Sequence, residues 1–188
     1  MGKYYRIVKD NEPSLRKRCE EVSNPNSDEM INLLNHMHDY LVASQDSTIR
    51  EKYHMREGVG LAAPQIGLNI RALVVYFTTL DENGNIIEEV DHRLINPKII
   101  SESVKESYLE SGEGCLSVDE EHRGYVYRHY KIQVKAFNAK TRKEEIITAR
   151  GFEAIVLQHE IDHLNGTLFY DRIDKVDPFK IKEGAIRL

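Results

Sequence analysis

The chain lacks the features that mark a secreted, a membrane-spanning or a nucleic-acid-binding protein. Its two cysteines, Cys19 and Cys115, are too few for a disulfide framework and suit a reducing compartment. No apolar run approaches the roughly 20 residues needed to span a bilayer, and the first six residues contain no apolar signal core. The formal net charge of −5 argues against nucleic acid as the main ligand, because phosphate binding requires a positive field. We therefore expect a cytoplasmic protein with no membrane contact and no specific nucleic-acid site.

The remaining composition is that of an ordinary globular protein. Of the 188 residues, 40% are hydrophobic and 30% are charged, and the chain is long enough to bury a core without disulfide support. It contains no internal repeat, linker or low-complexity segment. We therefore predict a single domain over residues 1–188.

A helix is predicted early in the chain. Ser27 is a good N-cap residue, and the two acidic residues after it suit the positive end of a helix dipole. His36 and His38 lie within this helix and are predicted to be on the surface. The polar stretch 45–57 is predicted to be an insertion or a loop. Apolar residues recur at helical spacing, at positions 30, 33, 34, 37 and 41.

Strand patterns dominate the middle of the chain. Residues 81–85 have the composition of a hairpin turn. Asn96-Pro97 interrupts an apolar segment and predicts an edge strand or a break. A second helix pattern comes late in the chain, and helix, strands and helix in this order predict an α+β fold. The predicted strands lie at residues 70–77, 130–138, 146–147 and 185–188.

The second helix carries a metal-binding pattern. His159 and His163 are four residues apart, so both imidazoles lie on one helix face and can reach one ion. Glu160 can then act as a general base on a water molecule. Apolar residues before the motif predict a buried face, and Asn165-Gly166 predicts the end of the helix. Because burying such polar groups is costly without a partner, this context favours a metal site over a chance match on a surface helix.

A third ligand is needed, since a catalytic site of this type has three protein ligands and an open position. Cys115 is the better candidate, because nearby glycines permit close backbone approach and a thiolate beside a dication is held ionised. A sulfur ligand beside two imidazoles suits iron(II), zinc, cobalt or nickel. Glu183, 20 residues after His163, is the alternative ligand. Cys19 is predicted to be a small buried apolar side chain.

A row of small residues from Gly58 to Gln65 is the third informative segment. Such a row permits an extended peptide to lie against the backbone as an added strand. Gln65 offers an amide donor that could stabilise an oxyanion. A tight structural turn would explain the glycines equally well.

Together, three segments resemble the signature motifs of the peptide deformylases. Pro64, the polar stretch before the first motif and the tail without a clear helix are similar to the Gram-positive-like, type 2 branch. The resemblance implies an α+β fold with antiparallel or mixed sheets packed around the motif helix. It also implies a bacterial catalytic domain that removes the formyl group from the N-terminal formyl-methionine of newly made polypeptides and releases formate. The three segments are Gly58–Gln65 (GVGLAAPQ), Glu113–Ser117 (EGCLS) and Gln158–Gly166 (QHEIDHLNG).

The resemblance implies a metal centre and its catalytic groups. Cys115, His159 and His163 would bind one divalent ion, with iron(II) expected and zinc, nickel or cobalt able to substitute. Glu160 would be the general base and acid. Two further groups would face the oxyanion, namely the side chain of Gln65 and the backbone N–H of Leu116.

The substrate is expected to be a nascent formyl-methionine peptide, met through transient contact with the ribosome. Gly60 and the Gly114 carbonyl would anchor its backbone. Phe152, Ile155 and Val156 could line an apolar methionine pocket together with Val59, although each of the first three could equally be plain core. Three charged residues could form an outer shell that orients the metal ligands: Glu113, Arg128 and Asp162.

Two other functions fit parts of the pattern. A zinc endopeptidase would use Glu183 as the third ligand instead of Cys115. A non-catalytic metal-binding or redox-sensing protein would use Cys115 as its responsive group, but would have no need of Glu160 or Gln65. The oligomeric state does not follow from the sequence.

Overall fold

The computed structural model describes residues 4–188, and its centre is a five-stranded antiparallel sheet. A second, mixed sheet has three strands in the order β5-β4-β8, with β8 parallel to β4. The strands of the large sheet, in spatial order, are β1 (Gly60–Ala62), β2 (Ala72–Leu80), β3 (Ile86–Glu102), β6 (Lys131–Asn138) and β7 (Lys143–Arg150). Those of the small sheet are β4 (Glu106–Tyr108), β5 (Arg128–His129) and β8 (Ile186–Arg187).

Helices cover both faces of the large sheet, which confirms the α+β prediction. The α-helices are α1 (Asp28–Gln45), α2 (Ser47–Tyr53) and α3 (Gly151–Leu164). Short 3₁₀ helices lie at Pro13–Arg16, Ala63–Ile66 and Phe169–Arg172. No helix within residues 4–188 has the length and apolar character needed to cross a membrane.

The alternation of β2 explains how one sheet supports two cores. Leu73 and Val75 pack with α3 and the inner residues of β6, whereas Ala72 and Val74 pack with α1. Successive side chains of a strand point to opposite faces, so the apolar run of β2 is buried on both sides. The helix α3 is consequently enclosed: every residue from 154 to 164 is buried. This enclosure places the polar motif of α3 inside the protein.

The predicted first helix is confirmed, but the polar stretch after it and one of its histidines differ from the prediction. The Ser27 side chain accepts a hydrogen bond from the backbone N–H of Met30 at 3.3 Å. The stretch 45–57 is not simply a loop, because α2 forms within it and Asp46 caps that helix. The surface prediction holds for His36 but is wrong for His38, which is half-buried against the ring of Tyr76 with centroids 4.8 Å apart.

The break predicted at Asn96-Pro97 is present, but the edge strand is not. β3 lies between β2 and β6, and its register with β6 shifts between Ile95 and Lys98. Asn96 has a φ of 54° and its side chain bonds the backbone of Val22 through both amide atoms. A bulge of this kind accommodates a proline that has no N–H for the ladder.

The remaining predicted elements are confirmed. The turn at 81–85 joins β2 to β3, Ile147 of β7 pairs with Val134 of β6, and the tail strand β8 pairs with β4. Cys19 is 4% exposed and its Sγ donates to Asn69 Oδ1 at 3.2 Å. Burial raises the pKa of the Cys19 thiol to about 11, which keeps it protonated at neutral pH.

Loss of the α1 cap should lower stability measurably. We expect Ser27→Ala to reduce the free energy of unfolding by about 1 kcal/mol, because an N-cap acceptor satisfies an otherwise unpaired helix N–H. Urea unfolding is the measurement, with Ser23→Ala, at an exposed serine just before the helix, as the matched control. Equal stability of the two variants would contradict the capping role.

Candidate metal centre

Three ligand atoms converge beside α3. One atom each from Cys115, His159 and His163 lie within 4.8 Å of one another, and Cys115 Sγ is 3.2 Å from His163 Nε2. The histidines lie one turn apart on α3, and Cys115 lies on the loop between β4 and β5. One sulfur and two imidazole nitrogens are a donor set that suits zinc or iron(II). Glu183, the alternative ligand, lies exposed in the tail and does not belong to this group.

Glu113 fixes the orientation of His159. Its Oε2 lies 2.8 Å from His159 Nδ1, and its side chain is 4% exposed. Burial opposes ionisation of Glu113, but hydrogen bonds from His159 and Arg128 outweigh it and lower its pKa to about 2. Because an ionised carboxylate only accepts, His159 Nδ1 must carry a proton, so Nε2 is the nitrogen that could bind an ion, once it has lost its own proton.

Burial disfavours the charged form of both imidazoles. For His159, hydrogen bonds to Cys115 and Glu113 outweigh burial, and its pKa lies well above the usual value. The same negative environment favours a bound dication. For His163, burial and the nearby charge of His159 lower the pKa well below the usual value. His163 is therefore a neutral imidazole, the form that binds metals.

Arg128 joins Glu113 to Asp162 inside the protein. It donates to the two oxygens of Glu113 at 2.6 and 2.9 Å and to Asp162 Oδ2 at 2.9 Å. Burial opposes the charge on Arg128, but the two carboxylates outweigh this effect and raise its pKa. These three residues are the ones considered for an outer shell, and the structure brings them together. Arg172, which the sequence did not single out, binds Asp162 through two further hydrogen bonds of 2.6 Å.

Glu160 is the one acid of this centre without a charged partner. It is 4% exposed, and its Oε2 has no hydrogen-bond partner among residues 4–188. Burial raises its pKa to about 7, despite the lowering effect of His159 and Arg128. A carboxyl group that titrates near neutrality can both accept and return a proton.

Gln65 and Leu116 present hydrogen-bond donors beside the cysteine. Gln65 Oε1 accepts from the backbone N–H of Ala62 at 2.8 Å, which fixes the side-chain amide. Its Nε2 then lies 3.5 Å from Cys115 Sγ and 3.2 Å from Ser117 Oγ. The backbone N–H of Leu116 donates to no other group within residues 4–188.

A cavity of about 260 Å³ opens onto these groups. All the residues considered for the substrate line it, namely Val59, Gly60, Gly114, Phe152, Ile155 and Val156. Ile155 and Val156 are buried, whereas Phe152 is 39% exposed. Gln65, Cys115, Leu116, His159 and Glu160 also line the cavity, and His163 does not. Sequence reasoning missed Leu109 and Arg56, which carry no motif and reach the cavity only through folding.

Comparison with known proteins identifies the family. The family model described as polypeptide deformylase matches residues 4–179. The chain belongs to the peptide deformylase family. It is 49% identical to the peptide deformylase of Macrococcus caseolyticus over 96% of this chain and 95% of the relative. It is 47% identical to peptide deformylase 2 of Bacillus anthracis over 95% and 94%. The expected Gram-positive-like branch agrees with these relatives.

Solved structures of the family share the fold. The Met-Ala-Ser-bound class I type b deformylase of Acinetobacter baumannii matches with a TM-score of 0.72 and 31% identity, over 92% of this chain and 100% of that one. The Ehrlichia chaffeensis deformylase matches with a TM-score of 0.75 and 33% identity, over 92% and 89%. The chain is thus a metal-dependent hydrolase that removes the N-formyl group of nascent polypeptides. The endopeptidase and sensor alternatives are set aside.

Gly60 lies very close to the Glu160 side chain. A Cβ built on Gly60 would lie 2.7 Å from Glu160 Cδ and 2.9 Å from Glu160 Cγ, and closer still to the carboxylate oxygen. A Cβ on Gly114 would meet no atom within 4 Å. The backbone of β1 therefore lies directly against the Glu160 side chain, and a larger residue at position 60 would require Glu160 or β1 to move.

Alanine substitution should lower the free energy of unfolding at Gly60 but not at Gly114. We expect Gly60→Ala to lower the free energy of unfolding by about 1–3 kcal/mol, because overpacking forces the Glu160 side chain or β1 to move. Gly114→Ala should leave the free energy of unfolding unchanged or raise it slightly. Urea unfolding measures both, and a Gly60→Ala protein as stable as Gly114→Ala would contradict the close approach.

Proposed function

We propose that residues 1–188 act as one catalytic domain in which Cys115, His159 and His163 hold a single divalent ion. Glu160 is the general base and acid of the reaction. The observation that carries the proposal is that Cys115 and His159, two members of the sulfur–nitrogen–nitrogen group, line the same cavity as the unpaired Glu160 carboxyl. A purely structural metal site would have no use for a cavity or for a buried acid without a partner.

The donor set supports iron(II) as the expected ion, with zinc, nickel or cobalt as alternatives. When bound, such an ion supplies a hydroxide nucleophile at neutral pH and polarises the formyl oxygen. Cys115 is 7% exposed and lines the cavity, whereas His163 is 1% exposed and does not line it. A thiolate beside iron(II) is sensitive to oxidation, so the native ion requires anaerobic handling.

Side-chain and backbone groups of the protein perform proton transfer and stabilise the oxyanion. Glu160 takes a proton from the attacking water and returns it to the departing amine, work that suits its pKa of about 7. Gln65 Nε2 and the backbone N–H of Leu116 donate to the oxygen that becomes negative during attack. Each preplaced donor of this kind is worth on the order of 3 kcal/mol in the transition state.

The peptide substrate is proposed to lie along β1. This strand is at the edge of the large sheet, and an edge strand can accept a peptide as an added strand. Gly60 and the Gly114 carbonyl anchor its backbone. The methionine side chain enters the apolar part of the cavity, lined by Val59, Leu109, Phe152, Ile155 and Val156. Binding of Met-Ala-Ser by the Acinetobacter baumannii relative supports this class of substrate.

We further propose that the enzyme works in the bacterial cytoplasm on nascent formyl-methionine peptides, with transient ribosome contact. The family's reaction supports this location, because its substrate is a newly made polypeptide. Formate release from formyl-Met-Ala-Ser by anaerobically prepared protein, with metal analysis of the same sample, tests the substrate and the ion together. Formate release that did not follow the content of any divalent ion would contradict the proposal.

Removal of the general base should abolish turnover without removing the metal. We expect Glu160→Ala to lower formate release by about 10²–10⁴-fold, the usual contribution of general acid–base catalysis. Metal content should stay at the wild-type level, since Glu160 is not a ligand. Glu144→Ala, at an exposed glutamate of β7, is the control for loss of a carboxylate. Full activity in Glu160→Ala would contradict its role.

The third ligand can be tested in a pair of variants. Cys115→Ser should lose bound metal, because a hydroxyl is a far weaker ligand than a thiolate for these ions. Glu183→Ala should keep its metal, because Glu183 is exposed in the tail. Metal analysis after gel filtration distinguishes the two, and the reverse result would place the third ligand at Glu183.

A further inference from the structure

The 3₁₀ helix Phe169–Arg172 contacts the metal centre at two points. The ring of Phe169 is stacked on that of His159, with centroids 6.0 Å apart and planes at 18°. Arg172 Nε and Nη2 each donate to one oxygen of Asp162, both at 2.6 Å. This short helix therefore contacts the proposed ligand His159 through Phe169, and it contacts Asp162 through Arg172.

Around Glu113 and Asp162, the arginine charges equal the carboxylate charges only when Arg172 is included. Glu113 and Asp162 are two buried carboxylates, with side chains 4% and 8% exposed. Arg128 contacts both but supplies a single positive charge. Arg172, with a side chain 45% exposed, supplies the second from the solvent side. A carboxylate left without its partner in such a place is strongly unfavourable.

We propose that Arg172 is a positioning residue for deformylation, which acts on His159 through Asp162, Arg128 and Glu113. This inference rests on the proposed function, because it takes His159 as a metal ligand. With Arg172 in place, Asp162 needs only one hydrogen bond from Arg128, and the other two donors of Arg128 remain on Glu113. Glu113 is then held against His159 Nδ1 at 2.8 Å.

Loss of Arg172 changes this arrangement in a defined direction. Asp162 would draw Arg128 towards itself, and Glu113 would lose part of its support. The His159 ring would then be less restricted, so metal affinity and the catalytic step should weaken together. Substrate binding should not change, because Arg172 does not line the substrate cavity and faces a separate one of about 440 Å³.

A merely structural role would be to hold the 3₁₀ helix in place. Arg16 provides the control for this, because it binds the same helix through other residues. It forms an ion pair with Asp171 and donates to Tyr170 Oη at 2.9 Å, without contacting Asp162. Arg16→Ala therefore loosens the helix but leaves the charges around Asp162 balanced.

The test compares Arg172→Ala, Arg172→Lys and Arg16→Ala, using Ni(II) as the metal probe. Metal affinity is measured by competition with a chelator, and kcat and KM are measured separately with formyl-Met-Ala-Ser. We expect Arg172→Ala to bind Ni(II) about 10- to 100-fold more weakly, as is usual when support of a metal ligand is removed. The kcat should fall while KM stays unchanged. Arg172→Lys should show an intermediate loss, because lysine keeps the charge but cannot form the paired hydrogen bonds.

Wild-type Ni(II) affinity in Arg172→Ala would overturn the inference, as would an equal loss in Arg16→Ala. Thermal unfolding shows whether each variant is folded. If Arg172→Ala does not fold, Arg172→Lys provides the test. The inference then requires Arg172→Lys to bind Ni(II) more weakly than wild type with an unchanged KM. Cys115→Ser in the same assay distinguishes failure of this inference from failure of the proposed function. Unchanged Ni(II) affinity in that variant would reject the proposed function itself.

Discussion

The structure depends on charge compensation around Arg128. The helix α3 is buried along its whole motif, which places two imidazoles and two carboxylates in the interior. Such groups are tolerated there only when they are paired or bind a metal. Arg128 allows this by contacting Glu113 and Asp162 at once. Glu160 has no such partner, and its pKa near 7 is the chemical result.

The rest of the fold delivers the other groups to α3. The large sheet buries α3 on one face and α1 on the other, and its edge strand β1 approaches Glu160 closely at Gly60. The loop after β4 supplies Cys115, and the 3₁₀ helix Ala63–Ile66 supplies Gln65. Groups far apart in the chain thus surround one small cavity. The proposed deformylation chemistry uses the groups that line this cavity.

Much of the fold could be predicted because local patterns and tertiary burial agree. The cap at Ser27, the alternation of β6 and the spacing of His159 and His163 each follow from short-range geometry. Features that depend on tertiary contacts could not be predicted. His38 is half-buried because it packs against Tyr76, and the bulge at Asn96 is held by hydrogen bonds to Val22. Leu109 reaches the cavity, and Arg172 reaches Asp162, only through folding of the whole chain. The helix α2 was missed because it buries no side chain and leaves no apolar periodicity.

The two cysteines differ in a way that reaches beyond the fold. Cys19 is enclosed and its high pKa suppresses the reactive thiolate, whereas Cys115 lies at the wall of the cavity. An alkylating reagent small enough to enter would therefore modify one sulfur and spare the other. A cation bound as proposed would occupy the lone pairs of that sulfur and slow its alkylation. The rate of alkylation would then measure the fraction of protein that holds a metal ion.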